Sequence, residues 1–181
     1  LGNALPEDEF EKRGENVWVA RDATVFPSAY IGSPCIIDHG AEVRHCAFIR
    51  GSAIIGKNTV VGNSTEIKNS ILFDNVQAPH YNYIGDSVLG YKSHMGAGSI
   101  TSNVKSDKTL VVIKSCEGEI ETKRKKVGAI LGDGVEIGCN SVLNPGTILG
   151  RGASVYPTSC VRGVIPENGI YKDKDNIVIR K

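Results

Sequence analysis

From Val19 onward a large apolar residue returns at every sixth position: Val19, Val25, Ile31, Ile37, Val43, Ile49, Ile55, Val61, Ile67, Phe73 and Pro79. Only Pro79 in that series is neither aliphatic nor aromatic. Four residues after each comes a second series of mostly small side chains: Ala23, Ala29, Cys35, Ala41, Ala47, Ala53, Thr59, Thr65, Ile71 and Gln77. An amphipathic helix would repeat at three and four residues and a half-buried strand at two, so a period of six fits neither. It fits short strands joined by tight turns and wound into a coil, each strand pairing with its counterpart one coil later. The predicted fold class is therefore all-β, a parallel β-helix of hexapeptide repeats.

The period returns at Leu131, Ile137, Leu143, Leu149, Val155 and Val161, with Val135, Ser141, Thr147, Ala153 and Ser159 at the small positions. Between the two blocks it breaks. There "TLVVIK" and "EIETKR" flank "SCEG", which predicts a hairpin projecting from the coil. The predicted organisation is an N-terminal segment 1–18, a β-helix domain 19–166 with a hairpin insertion at about 104–130, and a C-terminal tail 167–181. The ending "NIVIRK" is expected to add one last strand over the end of the coil.

In such a coil, residues on either side of each large aliphatic point outward. Eighteen residues make one coil, and same-face neighbours lie about 4.8 Å apart. Arg50 follows Ile49 and Lys68 follows Ile67, so two cations are expected outward on one face, one coil apart. Unit charges at that spacing repel by roughly 1 kcal/mol in water and more near a protein surface. An anion held between them would turn the repulsion into a phosphate site. The step from Pro79 to Ile84 is five residues, which predicts a turn shortened just after His80. His80 then ends one face, and Tyr83 opens the next in a row with Phe48 and Glu66.

A histidine, a carboxylate, a phenol and two cations gathered at one corner suit acyl transfer to an amine. A neutral imidazole can take the proton lost as the nitrogen attacks. None of the cysteines has a histidine at a motif spacing, so direct transfer from a thioester is the simpler route. Gly96 and Gly98 in "HMGAGSITSN" allow close backbone approach to a ligand, although glycine is also common in hexapeptide turns for structural reasons. The run Lys123, Arg124, Lys125 and Lys126 reads either as a solvated face or as a phosphate contact. A zinc enzyme would need three imidazoles converging on one metal. His39 and His45 fall on adjacent faces, and His80 with His94 lacks a third partner.

Composition narrows the classes further. A formal charge of +1 over 181 residues carries no basic surplus for nucleic acid. No run nears the roughly 18 apolar residues of a membrane span. The start, "LGNALPEDEFEKRGENVW", is acidic and unlike an export signal. Leu1 in place of methionine points to a trimmed chain or a fragment. Five cysteines, Cys35, Cys46, Cys116, Cys139 and Cys160, form no CxxC pair and suit reduced thiols in a cytoplasmic protein.

The passages "GNSTEIKNS", "PHYNYIGDSVLG" and "MGAGSITSN" resemble the C-terminal acetyltransferase domain of the bifunctional UDP-N-acetylglucosamine pyrophosphorylase/glucosamine-1-phosphate acetyltransferase family, over residues 48–103 and 131–166. That resemblance implies a left-handed coil, the reverse of the general preference for parallel crossovers. It implies a homotrimer with sites between subunits, acetyl-CoA as co-substrate, no metal, and an amino-sugar phosphate as acceptor. It places the catalytic base at His80 with Glu66 beside it, and the phosphate clamp at Arg50 and Lys68. Sugar contacts fall at Tyr83, His94, Asn103 and, loosely, Lys108, and coenzyme contacts at Ala97 and Cys139. The family has a second asparagine where this chain has His94, a serine where it has Cys139, and Asn-Tyr where it has Asn103-Val104. A different class remains as the rival: a non-catalytic β-helix serving oligomerisation or sugar-nucleotide sensing.

Overall fold

Strands one coil apart in sequence pair in parallel and wind three faces around a single core. This computed structural model describes residues 5–115 and 117–180, so Leu1 and Cys116 lie outside the described residues. The first face stacks Thr24–Val25, Glu42–Val43, Val60–Asn63, Gln77–His80, His94–Met95, Glu136–Ile137, Ser154–Val155 and Gly169–Asp173. The second stacks Tyr30–Ile31, Tyr83–Gly85, Ile100–Thr101, Val142–Leu143 and Cys160–Val161. The third stacks Val17–Ala20, Cys35–Ile37, Val88–Leu89, Ala129–Leu131, Thr147–Leu149 and Val164–Ile165. Two long strands, Phe48–Ile55 and Glu66–Leu72, run through the second and third faces without a break.

The six-residue period is the core. Val19, Ile37, Val43, Ile49, Ile55, Val61 and Ile67 are wholly buried, and Val25 and Ile31 pack against them from nearer the surface. Each such side chain contributes about 1.5–3 kcal/mol by leaving water. Leu131, Ile137, Leu143, Leu149, Val155 and Val161 continue the column in the second block. It also runs unbroken between the blocks through Leu89 and Met95.

The predicted phase fails at one place. Phe73 is 52% exposed, and the inward residue is Leu72. Likewise Ala78 is buried in place of Pro79, while Ser70 and Val76 take the small positions expected for Ile71 and Gln77. The shortened step thus lies between Ile67 and Leu72, one turn before His80. The reason is register: Ile55 pairs with Leu72 and Val61 with Ala78, coils of seventeen residues instead of eighteen. Ala78 to Ile84 is then a full step of six.

Polar side chains inside the corners are satisfied by the chain itself. Thr59 Oγ1 donates to Phe73 O at 2.8 Å, Thr65 Oγ1 to Ala78 O at 3.1 Å and Ser99 Oγ to Gly96 O at 2.7 Å. Asn82, 2% exposed, donates through Nδ2 to Gly96 O and Ser99 O. Ser93 Oγ is the exception among the described residues, buried without a partner.

The insertion forms an antiparallel hairpin of Val112–Ser115 and Gly118–Glu121, with Ile113 opposite Ile120. It does not project freely: Val111 and Ile113 are buried, and their side chains sit against the turn at Gly146. At its root Val104 bridges Lys126, and Val127 N–H donates to Asn103 O at 3.0 Å. The two open ends of the coil are covered by antiparallel strands, Phe10–Gly14 on Val17–Ala20 and Asn176–Ile179 on Gly169–Asp173. No helix among the described residues is long and apolar enough to cross a membrane.

Candidate functional site

Most of the residues singled out in the sequence fall into two clusters, one at a corner of the second face and one on that face and its far corner. One is a ridge of turns between the first and second faces. His80 closes Gln77–His80, its carbonyl accepts the N–H of Gly98 at 3.0 Å, and Ala97 O accepts the N–H of Asn140 at 2.8 Å. Cys139 O in turn accepts from Thr158. His80, Ala97 and Cys139 therefore stack on successive coils of one corner. The ridge is low because Gly96 and Gly138 run against backbone: a Cβ on Gly96 would lie 2.5 Å from Ile137 O. The imidazole of His80 is exposed, and the adjacent Tyr81 takes the left-handed conformation, φ 52°.

The second cluster occupies the second face and its far corner. Glu66, Tyr83 and Ile100 are in register, continuing the row opened by Phe48 as the sequence led us to expect. The two cations sit differently from the expected pair. Arg50 is an extra residue in its strand, because Ile49 pairs with Ile67 but Gly51 pairs with Lys68. Each cation has a carboxylate partner: Arg50 Nη1 lies 2.9 Å from Glu66 Oε1, and Lys68 Nζ lies 3.4 Å from Asp86 Oδ2. Glu66 thus pairs with Arg50, and no hydrogen bond joins it to His80 among the described residues. The hydrogen bond from Arg50 to Glu66 raises the guanidinium pKa further, against a smaller opposing effect of desolvation.

Asp86, Asn69 and Gly85 are functional candidates that sequence reasoning passed over. Burial alone would raise the Asp86 carboxyl; hydrogen bonds from Asn69 and Asn103 and the charge of Lys68 outweigh it, and the pKa falls below the usual carboxylate value. Asn103 Nδ2 also reaches Tyr83 Oη at 3.1 Å. The Tyr83 ring is close against Gly85, where a Cβ would come within 2.4 Å of the phenol oxygen. The signal was available: Lys68, Asp86 and Asn103 are spaced by one coil each, eighteen and then seventeen residues.

Two predicted contacts lie elsewhere. His94 is on the first face, its Nδ1 2.8 Å from Glu136 Oε2 and across that face from His80. Lys108 is in the insertion, exposed and in the left-handed conformation. Nor do the other histidines converge on a metal: His39 bonds Asp22 and Glu9, and His45 packs edge-on against Phe26. Among the described residues no group of three or more His, Cys, Asp or Glu side chains is placed to hold a metal ion.

The thiols differ sharply. Burial pushes the Cys35 thiol up to about 12, whereas Cys46, Cys139 and Cys160 are exposed.

The third face carries a feature the sequence pattern contained but that was not read from it. Trp18, Ile36, Ile54, Ile71, Val88, Ile130, Ile148 and Val164 occupy its outward row, in register from coil to coil. A groove of about 1070 Å3 runs along it, walled by Arg124, Lys125 and Lys126 of the insertion. The basic run therefore borders an apolar floor and stands apart from His80.

Residues 31–116 match the family described as the GMPPB C-terminal domain. Over 114 residues the chain is 37% identical to the bifunctional protein GlmU of Methanococcus maripaludis, covering 62% of this chain and 27% of that protein. It is 33% identical over 92 residues to a bifunctional sugar-1-phosphate nucleotidylyltransferase/acetyltransferase of Sulfurisphaera tokodaii, covering 51% and 23% respectively. Among solved structures, a hexapeptide transferase family protein from Anaplasma phagocytophilum superimposes with a TM-score of 0.48 at 14% identity, covering 86% of this chain and 77% of that one. The chain spans about a quarter of the length of the curated relatives it matches. The six-residue period and the stacked parallel strands make the chain a hexapeptide-repeat β-helix, and its sequence is similar to that of the GlmU proteins.

Proposed function

We propose that the chain transfers acetyl from acetyl-CoA to the amine of a hexosamine 1-phosphate. The observation that carries this reading is the placement of His80 on one edge of the second face, with Tyr83, Lys68, Asn103 and Arg50 spread across the rest of it. The names of the relatives, which join a sugar-phosphate activity to an acetyltransferase, support the substrate class.

His80 is the general base. As the amine nitrogen bonds to the thioester carbonyl, its proton passes to the imidazole. The carbon–sulfur bond then breaks, and the thiolate leaves and takes up a proton. Arg50 and Lys68 hold the phosphate and Tyr83 and Asn103 the sugar, while the low ridge at Ala97 and Cys139 receives the coenzyme. His94 and Lys108 are assigned no contact in this arrangement.

The partners are further copies of the chain, in a homotrimer. Eight outward apolar residues in a continuous row exceed the scattered apolar residues of an ordinary solvated surface. His80 is exposed at its corner, away from the groove on the third face, and an adjacent subunit would supply the second wall of the site. The exposed thiols suit a reducing compartment, and the cytoplasm is the setting we assign.

Two observations favour the non-catalytic reading: Arg50 and Lys68 are already paired with carboxylates, and no side chain among the described residues is hydrogen-bonded to the His80 imidazole. Thiol release from acetyl-CoA with a panel of amino-sugar phosphates separates the two readings. Turnover with a hexosamine 1-phosphate that falls about 10²–10⁴-fold in His80→Ala, with an unchanged melting transition, supports catalysis. Failure of every acceptor, or an active His80→Ala variant, overturns it.

A further inference from the structure

We propose that Asp86 is a positioning residue that fixes Tyr83 as a hydrogen-bond donor toward the substrate. The substrate part of this statement rests on the function proposed above; the internal part does not. Asp86 takes the left-handed conformation, φ 52°, at the corner between the second and third faces. Its N–H donates to Lys68 O at 3.0 Å, and its carbonyl accepts the N–H of Gly128 at 2.8 Å. The backbone is thereby held between the preceding coil and the chain returning from the insertion. Its side chain is 9% exposed. The carboxylate receives Asn69 Nδ2 at 2.7 Å, Asn103 Nδ2 and Lys68 Nζ at 3.4 Å.

A carboxylate only accepts hydrogen bonds. Asn103 must therefore turn its NH2 group, and not its carbonyl, toward Asp86. That choice decides the second contact, because the remaining hydrogen of the same NH2 group points at Tyr83 Oη. Tyr83 is the acceptor in that bond, so its own hydrogen is directed away from Asn103 and is free for a ligand. Were the amide reversed, the Asn103 carbonyl would take up the phenolic hydrogen and Tyr83 would offer a ligand only lone pairs. Gly85 completes the device by leaving room for the ring to lie along the face. The ligand group that Tyr83 meets is accordingly an acceptor, such as a sugar oxygen or a phosphate oxygen.

The test uses the full chain in two measurements. In the first, side-chain amide hydrogens of Asn103 are followed by 15N-resolved NMR hydrogen exchange. Both should be slowed in the parent, Tyr83→Phe should release one, and Asp86→Ala, which removes the acceptor altogether, should release the other. Equal exchange in the parent and in Asp86→Ala overturns the assignment. In the second, glucosamine 1-phosphate binding is measured by calorimetry for the parent, Asp86→Asn, Tyr83→Phe and the double variant. Each single change should weaken binding about 5- to 20-fold, the scale of one lost hydrogen bond. The double variant should be no weaker than the worse single, because both remove the same donor. Additive losses overturn the coupling. Failure of the parent to bind glucosamine 1-phosphate counts against the proposed function, while the exchange measurement still decides the Asp86 assignment.

Discussion

Glu66 is the residue at which the expected role and the observed contact part. Beside His80 it would orient an imidazole; bonded to Arg50 it competes with any phosphate for the same guanidinium. If Arg50 holds the substrate phosphate, Glu66→Gln removes that competition. Calorimetry should then show tighter binding of the phosphorylated sugar and unchanged binding of the unphosphorylated one. Arg50→Ala should do the opposite, weakening the phosphorylated ligand by about 1.5–3 kcal/mol, the range for hydrogen bonds to charged groups. Equal changes for both sugars would remove Arg50 from the phosphate site. For Asp86 the pH dependence has a definite sign. Its folded pKa is depressed, so the stability it contributes is present above the unfolded carboxylate pKa and is lost as pH falls through the folded value. Asp86→Asn should therefore lower the melting temperature at neutral pH, and the difference from the parent should shrink only in acid below about pH 4. A gap that closes at pH 6 would assign the effect to another group. Tyr83, Arg50 and Lys68 were legible as candidates because each neighbours a large aliphatic, whereas His80 was singled out by a shortened step that the structure puts one turn earlier. Their partners were not, because an ion pair depends on side-chain reach and on a one-residue bulge at Arg50.

At the scale of one turn, the corners show why the repeat tolerates so few residue types. A Cβ on Gly62 would lie 1.7 Å from Pro79 O in the next coil, too close for relaxation of a side chain to relieve. Gly62→Ala should force those coils apart, with a large drop in the melting temperature and loss of cooperativity. A parent-like transition would mean that the coils can separate at little cost. Ser93 predicts the opposite sign. Its hydroxyl is buried and unsatisfied, and leaving such a group unpaired costs about 1–3 kcal/mol. Ser93→Ala should raise the melting temperature in thermal unfolding; a decrease would show that the hydroxyl has a partner, such as an ordered water. The shortened turn was placed after Pro79 because Phe73 continues the apolar series as well as Leu72 does. The sequence offers two adjacent apolar residues there, and only pairing of Leu72 with Ile55 decides between them.

Taken whole, the molecule offers three unlike faces to solvent. The row of the first is mostly polar, Thr24, Glu42, Val60, Gln77, His94, Glu136, Ser154 and Ile170, while that of the third is apolar from Trp18 to Val164. A charge placed in the middle of the third face should block its burial against another copy. If the chain forms the proposed homotrimer, Ile54→Glu combined with Ile71→Glu should convert it to monomer in sedimentation, with the coil preserved by circular dichroism. A parent that sediments as a monomer, or a variant that remains trimeric, would reject the third face as the contact surface. Acetyl transfer should fall with the trimer if the site is completed by a neighbour.

The sequence by itself determined the coil. A six-residue period with large and small residues in fixed alternation can be buried only by stacking, and every same-face neighbour then follows at about eighteen residues. That is why His80, Tyr83, Arg50 and Lys68 could be placed near one face, and why the insertion could be recognised where the period broke. The tertiary structure alone decided the phase at Leu72, the carboxylate partners of the two cations, the packing of the hairpin against Gly146 and the amide orientation of Asn103. Burial repeats with the chain and is written in its periodicity. Hydrogen bonds between side chains depend on local twist, bulges and reach, which differ from coil to coil and leave no period to read.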